Sequence, residues 1–335
     1  LVHLRPDGRH SGIEATGTVG DHDGRHGGVP GGDHGHVRCI LESNLPYSNH
    51  RVTLLAGGVG GARMARALRT VVDPGLLSVI VNVGDDTERY GVHVSADPDT
   101  VLYTLAGAVG PHGWGRADDT FVIMDELDRF GVDTRFRLGD RDFGACLART
   151  AMLADGHPLS EALAASRRAL GIDDVAVLPA SDDPLRTWLR TAGSIEWLPF
   201  QEYFVDMAHA VDIDAVEYRG AASARPAPGV IEAIDDADTI VIAPSNPPLS
   251  VWPILAVDAI AAAVRRHPWT IAVSPLFGGK PLKGPADAVM RGVGLPKGTA
   301  GVLSAYEDML SCLFVDVSDR DDIALAGPAG VAIEA

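Results

Sequence analysis

From residue 52 onwards, short runs of apolar and β-branched residues alternate with segments whose apolar residues recur at helical spacing. The short runs predict buried strands, and the segments between them predict helices. Alternation of the two is typical of a parallel sheet covered by helices, so we predict an α/β fold with a doubly wound, mostly parallel, Rossmann-like sheet. The predicted strands are residues 52–56, 77–83, 175–179, 239–243, 270–274 and 312–317. The predicted helices are residues 62–72, 100–109, 119–130, 142–154, 159–170, 253–266, 285–291 and 300–310.

A second region interrupts this alternation. Residues 187–218 are rich in aromatic and β-branched residues, and the small residues at 192–194 predict a hairpin turn. We therefore expect one domain over residues 51–335, with a Rossmann-like core at about 52–100 and 235–320. An inserted helical and β-rich subdomain would occupy about 101–234.

The first 50 residues have a different composition from the rest of the chain. Gly, His and Asp dominate, and seven of the twelve histidines of the chain lie here without any periodicity. We interpret residues 1–50 as a disordered extension that a chain starting at Arg51 does not need. A histidine-rich metal-binding segment is the alternative, although no scaffold fixes its geometry.

A glycine-rich loop follows the first predicted strand. Gly57, Gly58, Gly60 and Gly61 lie between that strand and the first helix. Such a loop lets a ligand approach the backbone, and the free N–H groups of a helix start attract an anion, so a nucleotide phosphate is expected. The alternative is a turn that merely lets the strand and helix pack closely. Arg63 replaces the third glycine of a dinucleotide fingerprint.

Acidic residues follow the second predicted strand. Asn82 lies at the end of that strand, Asp85 and Asp86 follow it, and Asp97 and Asp99 come shortly afterwards. Because ligands bind beyond the carboxyl ends of parallel strands, we expect the four carboxylates to hold Mg²⁺. Turn chemistry is the alternative, with Asp99 or the next residue capping the following helix.

The loops after the fourth and fifth predicted strands also carry polar groups. Ser245 and Asn246 are placed to reach a ligand, or they shape a proline-rich turn. Lys280 and Lys283 lie in a Gly- and Pro-rich loop, and they are two of only three lysines in the chain. A lysine ammonium on such a loop suits a phosphate.

Charge and hydropathy narrow the range of partners. A net charge of −17 argues against nucleic acid, because such binding needs a basic surface. Apolar runs are too short to cross a bilayer, so we predict no membrane partner and a cytoplasmic protein.

Nine motifs follow one another along the chain at residues 57–63, 82–86, 97–105, 113–115, 138–142, 178–183, 200–205, 245–247 and 274–287. Taken in order, they resemble the 2-phospho-L-lactate transferase family of coenzyme F420 biosynthesis, which includes phosphoenolpyruvate transferases. The similarity covers about residues 52–320, and no single motif is specific.

This resemblance implies a Mg²⁺-dependent transferase that acts on the deazaflavin FO. The ribityl hydroxyl of FO would attack a guanosine diphosphate-linked donor carrying enolpyruvate or 2-phospho-L-lactate, and GMP would leave. The glycine loop with Asn82, Ser245, Asn246 and the two lysines would hold the donor, and the aspartates would hold Mg²⁺. Either Asp85 or Asp86 would orient the attacking hydroxyl.

Deazaflavin contacts are implied for Asp86, Tyr90, Trp114 and Phe204, although aromatic residues are more often part of a core. The choice between the two donors stays open, and so does a homodimer.

Two other functions compete with this one. A non-catalytic regulatory protein would bind a nucleotide sugar on a similar sheet and would ignore FO. A nicotinamide dehydrogenase is disfavoured by the missing third glycine and by the lack of an acidic ribose partner.

Overall fold

Seven parallel strands form the centre of the protein. The structure is a computed structural model that describes residues 49–208, 210–282, 284–325 and 331–335. The predictions for the N-terminal extension, except its last two residues, and for Lys283 lie outside the described residues.

The strand order in the main sheet is β14-β13-β10-β9-β1-β2-β5, and all neighbours are parallel. This confirms the predicted fold class. The strands of this sheet are β1 (Val52–Ala56), β2 (Leu77–Val81), β5 (Val175–Pro179), β9 (Thr239–Ile242), β10 (Thr270–Val273), β13 (Cys312–Phe314) and β14 (Ala332–Glu334).

Smaller antiparallel elements surround this sheet. One three-stranded sheet has the order β7-β6-β8, and two hairpins pair β3 with β4 and β11 with β12. The turn between β6 and β7 contains Gly193 at φ 81°, which confirms the predicted hairpin. These strands are β3 (Thr87–Arg89), β4 (Val92–Val94), β6 (Arg186–Thr191), β7 (Trp197–Pro199), β8 (Ile213–Arg219), β11 (Leu276–Phe277) and β12 (Lys280–Pro281).

Helices cover the main sheet, so its central strands are buried throughout. All five residues of β1 are buried, as expected for an apolar run between two helical layers. The helices are α1 (Gly58–Arg69), α2 (Ala96–Leu105), α3 (Val122–Arg129), α4 (Asp140–Ala154), α5 (Leu159–Ala169), α6 (Val230–Asp235), α7 (Trp252–Leu255), α8 (Asp258–Arg266), α9 (Ala286–Gly292) and α10 (Gly298–Ala305).

Strand β1 marks the point where the chain changes direction across the sheet. The chain runs from β1 to β2 and β5 on one side, and then returns to β9 on the other side. The loops after β1 and β9 therefore flank a crevice of the kind in which doubly wound sheets bind ligands.

Several predicted helix bounds differ from the observed ones, and two of these differences affect the site. Helix α1 begins at Gly58, because the glycine loop itself forms the first helical turn. Helix α2 begins at Ala96, so Asp97 and Asp99 lie in its first turn and the predicted cap at Asp99 is wrong. Proline is tolerated in a first turn, which explains why Pro98 does not delay the helix.

The predicted helix over residues 253–266 is interrupted. A π-helical turn at Pro247–Val251 leads into α7, and α8 follows after a bend. Within the described ranges, no single helix is long and apolar enough to cross a membrane. Pro247–Leu255 and Asp258–Arg266 reach that length only as a pair, and they meet at 93°.

The subdomain boundaries stay predictions. Strand β5 lies inside the predicted insertion at 101–234, yet it pairs with β2 at the edge of the main sheet.

Candidate active site

The glycine loop is packed closely against the segment that follows β9. A Cβ atom on Gly57 would lie 2.6 Å from the carbonyl oxygen of Ser250, and one on Gly60 would lie 2.2 Å from that of Pro244. The Ser245 hydroxyl donates a 2.6 Å hydrogen bond to the Gly57 carbonyl. The alternative of close packing therefore explains Gly57 and Gly60, and phosphate binding by the loop stays a prediction.

Next to this loop, three aspartates share one buried region. Asp85, Asp86 and Asp97 are 5%, 3% and 6% exposed. Asn82 joins the two loops, because its amide donates a 2.9 Å hydrogen bond to Asp97 Oδ2 and its Oδ1 accepts one from the Gly84 N–H. This hydrogen bond places Asp97 of α2 next to the loop that follows β2.

The three carboxylates repel one another. Burial, and then the charges of Asp97 and Asp86, raise the pKa of Asp85 well above its ordinary value, although Asn82 and Thr187 oppose this. Burial also raises the pKa of Asp97 to about 6, against the hydrogen bonds from Asn82 and the Gly58 N–H. Negative charge at this site is therefore unfavourable without a cation.

Two oxygens of this group are buried without a partner. Among the described residues, nothing donates to Oδ1 of Asp85 or to Oδ1 of Asp86. The other oxygen of Asp86 accepts hydrogen bonds from His93 Nε2 at 3.0 Å and from Ser95 Oγ at 2.8 Å. Open carboxylate oxygens with mutual repulsion fit a hard divalent cation such as Mg²⁺.

Asp99 has a different partner from the one that the sequence predicts. It forms a buried, two-pronged ion pair with the guanidinium of Arg149, so its charge is already compensated. The structure thus favours a cation site of three aspartates over one of four.

A second group of ligand atoms lies behind this ion pair. The possible metal-ligand atoms of Asp99, Asp142 and Cys146 lie within 4.8 Å of one another. However, Tyr103 donates a 2.7 Å hydrogen bond to Asp142, and burial raises the pKa of the Cys146 thiol. Arg149 also pairs with Asp99, so the ligand atoms of this group already have partners, although it is the one such group in the described part of the chain whose atoms lie this close together.

The three-stranded sheet β7-β6-β8 contributes residues that the sequence analysis missed. Gln201 Nε2 donates a 2.9 Å hydrogen bond to the Asp85 carbonyl, and the N–H of Thr187 donates one to the Gly84 carbonyl. The Tyr218 hydroxyl donates to the Pro248 carbonyl at 2.6 Å. The contacts of Gln201 and Thr187 span more than 100 residues, so they leave no local signal in the sequence.

Two other residues that were predicted to bind the donor, Asn246 and Lys280, also follow strands of the main sheet. Asn246 precedes the π-helical turn, and its Oδ1 is buried without a partner within the described part of the chain. Lys280 is exposed on the β11–β12 hairpin, which follows β10. Both remain at the predicted sheet edge.

The three aromatic residues differ in their surroundings. The Tyr90 hydroxyl donates to the Phe136 carbonyl at 2.6 Å, which favours a structural role. Trp114 is 55% exposed and stacks on His112, in a loop whose Gly113 lies against Val59 of α1. Phe204 stacks on Phe200 at 5.3 Å in the inserted sheet region.

Comparison with known proteins identifies the family. The sequence profile described as "2-phospho-L-lactate transferase CofD" matches residues 52–324, which is most of the chain. The chain belongs to this CofD family. The resemblance seen in the motifs is therefore confirmed, and the protein is an enzyme that transfers a phosphate-containing group.

Individual members of the CofD family align over nearly their whole length. A phosphoenolpyruvate transferase from Kitasatospora aureofaciens is 42% identical over 85% of this chain and 91% of its own. A 2-phospho-L-lactate transferase from Methanopyrus kandleri is 39% identical over 85% of this chain and 90% of its own.

A solved structure supports the fold independently. A UPF0052 family protein from Bacillus halodurans superposes with a TM-score of 0.55, covering 85% of this chain and 87% of its own. At 19% identity, this likeness supports the α/β fold alone.

Proposed function

We propose that this CofD family enzyme acts in coenzyme F420 biosynthesis and transfers an enolpyruvyl- or lactyl-phosphate group to the deazaflavin FO. The donor would be linked to guanosine diphosphate, and GMP would be the leaving product. The observation that carries the proposal is the group of three buried carboxylates, Asp85, Asp86 and Asp97, beside the glycine loop. A phosphoenolpyruvate transferase and a 2-phospho-L-lactate transferase are similar to the chain over 85% of its length.

In the proposed reaction, the ribityl hydroxyl of FO attacks the phosphorus atom distant from guanosine. A new bond forms between that hydroxyl oxygen and phosphorus, the bond from phosphorus to the GMP oxygen breaks, and the hydroxyl proton is released. Phosphoryl transfer of this kind depends on positioning and charge neutralisation. Bound Mg²⁺ would supply the charge neutralisation at the diphosphate.

The open carboxylate oxygens would supply the base for this reaction. Oδ1 of Asp85 or of Asp86 would accept a hydrogen bond from the attacking hydroxyl and take its proton. Asp97 would complete the set of Mg²⁺ ligands with Asp85 and Asp86.

Different residues around the three aspartates would bind the donor and the acceptor. Glycines 57–61 with Asn82, Ser245 and Asn246 would hold the donor, assisted by Lys280 and Lys283. Trp114 and Phe204 offer aromatic surfaces to the deazaflavin, and the exposure of Trp114 supports that role. A cytoplasmic location and a homodimer stay predictions.

Product analysis tests the proposal directly. The protein is incubated with FO and each guanosine diphosphate-linked donor, with Mg²⁺ or with a chelator, and the products are identified by mass spectrometry. We expect GMP and a phosphodiester of FO only with Mg²⁺. The regulatory alternative predicts nucleotide binding without any FO product, and that outcome would overturn the proposed activity.

A further inference from the structure

His93 is a partly buried residue outside the motif that carries the aspartates. It lies in β4, and its side chain is 14% exposed. Its Nε2 faces Oδ2 of Asp86 at 3.0 Å and therefore donates to that carboxylate oxygen. Ser95 donates to the same oxygen, so Oδ1 of Asp86 is the oxygen left open.

Helix α4 fixes the main chain of His93 on both sides. The His93 N–H donates a 2.7 Å hydrogen bond to Thr150 Oγ1, and Arg149 Nη1 donates a 3.1 Å hydrogen bond to the His93 carbonyl. The Thr150 hydroxyl in turn donates to the Cys146 carbonyl within the helix. Arg149 and Thr150, two consecutive residues of α4, therefore hold the main chain from which the His93 imidazole extends.

Arg149 is itself fixed by the ion pair with Asp99. Both side chains are buried, and Asp99 lies in the first turn of α2 two residues after Asp97. Removing either partner would leave a buried charge uncompensated, so the pair holds α4 against α2 firmly. His93 is thereby held relative to the helix that carries the third aspartate.

We propose that His93 is a positioning residue that directs the open oxygen of Asp86 toward the cation and the attacking hydroxyl. A serine hydroxyl rotates freely, whereas an imidazole donates along one fixed direction. The inference rests on the proposed function, because it assigns a role to Asp86 in cation binding. Residues that orient a metal ligand in this way typically change affinity or activity by about 10- to 100-fold when mutated.

The test compares three variants of the full chain. His93→Leu removes the donor at similar size, and His93→Gln keeps an N–H donor near the Nε2 position. His157→Leu is the matched control, because His157 pairs with Glu161 on the exposed surface. Calorimetric titration with Mn²⁺ measures cation binding without substrates, and kcat, KM for FO and thermal melting are measured beside it.

We expect His93→Leu to weaken Mn²⁺ binding and lower kcat by roughly 10-fold or more, with KM for FO nearly unchanged. His93→Gln should restore most of both, and His157→Leu should match the wild type. Wild-type Mn²⁺ affinity in His93→Leu would overturn the inference while leaving the proposed function intact. Equal loss in the Gln and Leu variants, with parallel loss of melting temperature, would also overturn it. A wild-type protein that binds no Mn²⁺ would refute the cation site and the inference together.

Discussion

At the scale of single residues, Asp85, Asp86 and Asp97 differ from Asp99 in what compensates their charge. The first three repel one another, whereas Asp99 faces Arg149. We therefore expect Asp→Asn at each of the three to lower the transfer rate by at least about 100-fold, since each deletes charge needed at the reaction centre. The measurement is the initial rate across a Mg²⁺ titration.

Asp99→Asn should behave in the opposite way to those variants. It leaves the Arg149 guanidinium buried and unpaired, which typically destabilises a protein by about 3–5 kcal/mol. Thermal melts should therefore show a clear loss for Asp99→Asn and little loss for Asp86→Asn. Near wild-type rates in all three site variants, with unchanged Mg²⁺ dependence, would show that the aspartates only shape turns.

The raised pKa of Asp97 predicts how stability changes with pH. Its folded-state pKa is about 6, above the ordinary 3.8, so the folded protein binds the extra proton more tightly than the unfolded chain. The associated stability is present below about pH 4 and is lost as the pH rises through 6. A pKa that differs by about 2 between the folded and unfolded states corresponds to about 3 kcal/mol of stability.

Chemical unfolding of the metal-free protein between pH 4 and 7 checks this. Asp97→Asn removes the titration, so its stability relative to the wild type should rise across that window by up to about 3 kcal/mol. Asp142, whose pKa is also raised to about 6, contributes equally to both proteins and cancels in the comparison. A relative stability that is flat or falls with pH would contradict the buried, repelling site.

The residues that could be found from the sequence are those whose position along the chain already implies their place in space. Asp85 and Asp86 directly follow a predicted strand, and parallel strands end at one sheet edge. Arg149 and Gln201 gave no such signal, because their partners lie 50 and 116 residues away and are brought near by tertiary packing.

At the scale of elements, a substitution in the glycine loop shows whether its glycines serve close packing, ligand binding or both. A Cβ on Gly60 would meet the Pro244 carbonyl at 2.2 Å, whereas one on Gly144 in α4 would meet nothing within 4 Å. We expect Gly60→Ala to destabilise the protein by about 2 kcal/mol or more, because backbone cannot shift cheaply. Gly144→Ala should stabilise it by up to about 1 kcal/mol.

Chemical unfolding measures the stability of Gly60→Ala and Gly144→Ala, and titration with the donor measures how tightly each variant binds it. If the loop also holds the donor, Gly60→Ala should weaken donor binding beyond any effect on FO binding, whereas Gly144→Ala should alter neither. Unchanged stability in Gly60→Ala would contradict the close approach of the two loops.

Strands were more predictable than helix ends for a physical reason. The five residues of β1 are all buried and four of them are apolar, which favours a fully covered strand, and the predicted and observed bounds agree. Helix α1 instead begins within a run of glycines, which have poor helix propensity, and tertiary packing overrides it. The three-residue β14 was missed because so short a run has no period.

At the scale of the whole molecule, the site is formed by the main sheet and the inserted sheet together. The carboxylates come from the loop after β2 and from the start of α2, while Gln201 and Tyr218 of the β7-β6-β8 region contact the main-chain carbonyls of Asp85 and Pro248. Nothing in a linear sequence states that these regions meet, since 116 residues separate Gln201 from Asp85. The family resemblance predicted both regions but not their contacts.

Contacts of residues 50 and 51 predict where a shortened chain can begin and still fold. The family profile begins at residue 52, but two earlier residues already contact the main sheet. His50 Nε2 lies 2.9 Å from Thr239 Oγ1, and the N–H of Arg51 donates a 2.7 Å hydrogen bond to Asp238. A chain starting at Asn49 keeps both contacts, so it should be a better boundary than one starting at Arg51.

We expect the chain starting at Asn49 to match the full chain in transfer rate and melting temperature. A chain starting at Val52 loses both contacts and the Arg51 carbonyl, which accepts hydrogen bonds from the N–H groups of Asp238 and Thr239. Each hydrogen bond contributes about 0.5–1.5 kcal/mol, so this shorter chain should melt several degrees lower with a similar rate. A large loss of rate in the chain starting at Asn49 would instead show that residues 1–48 contribute to catalysis.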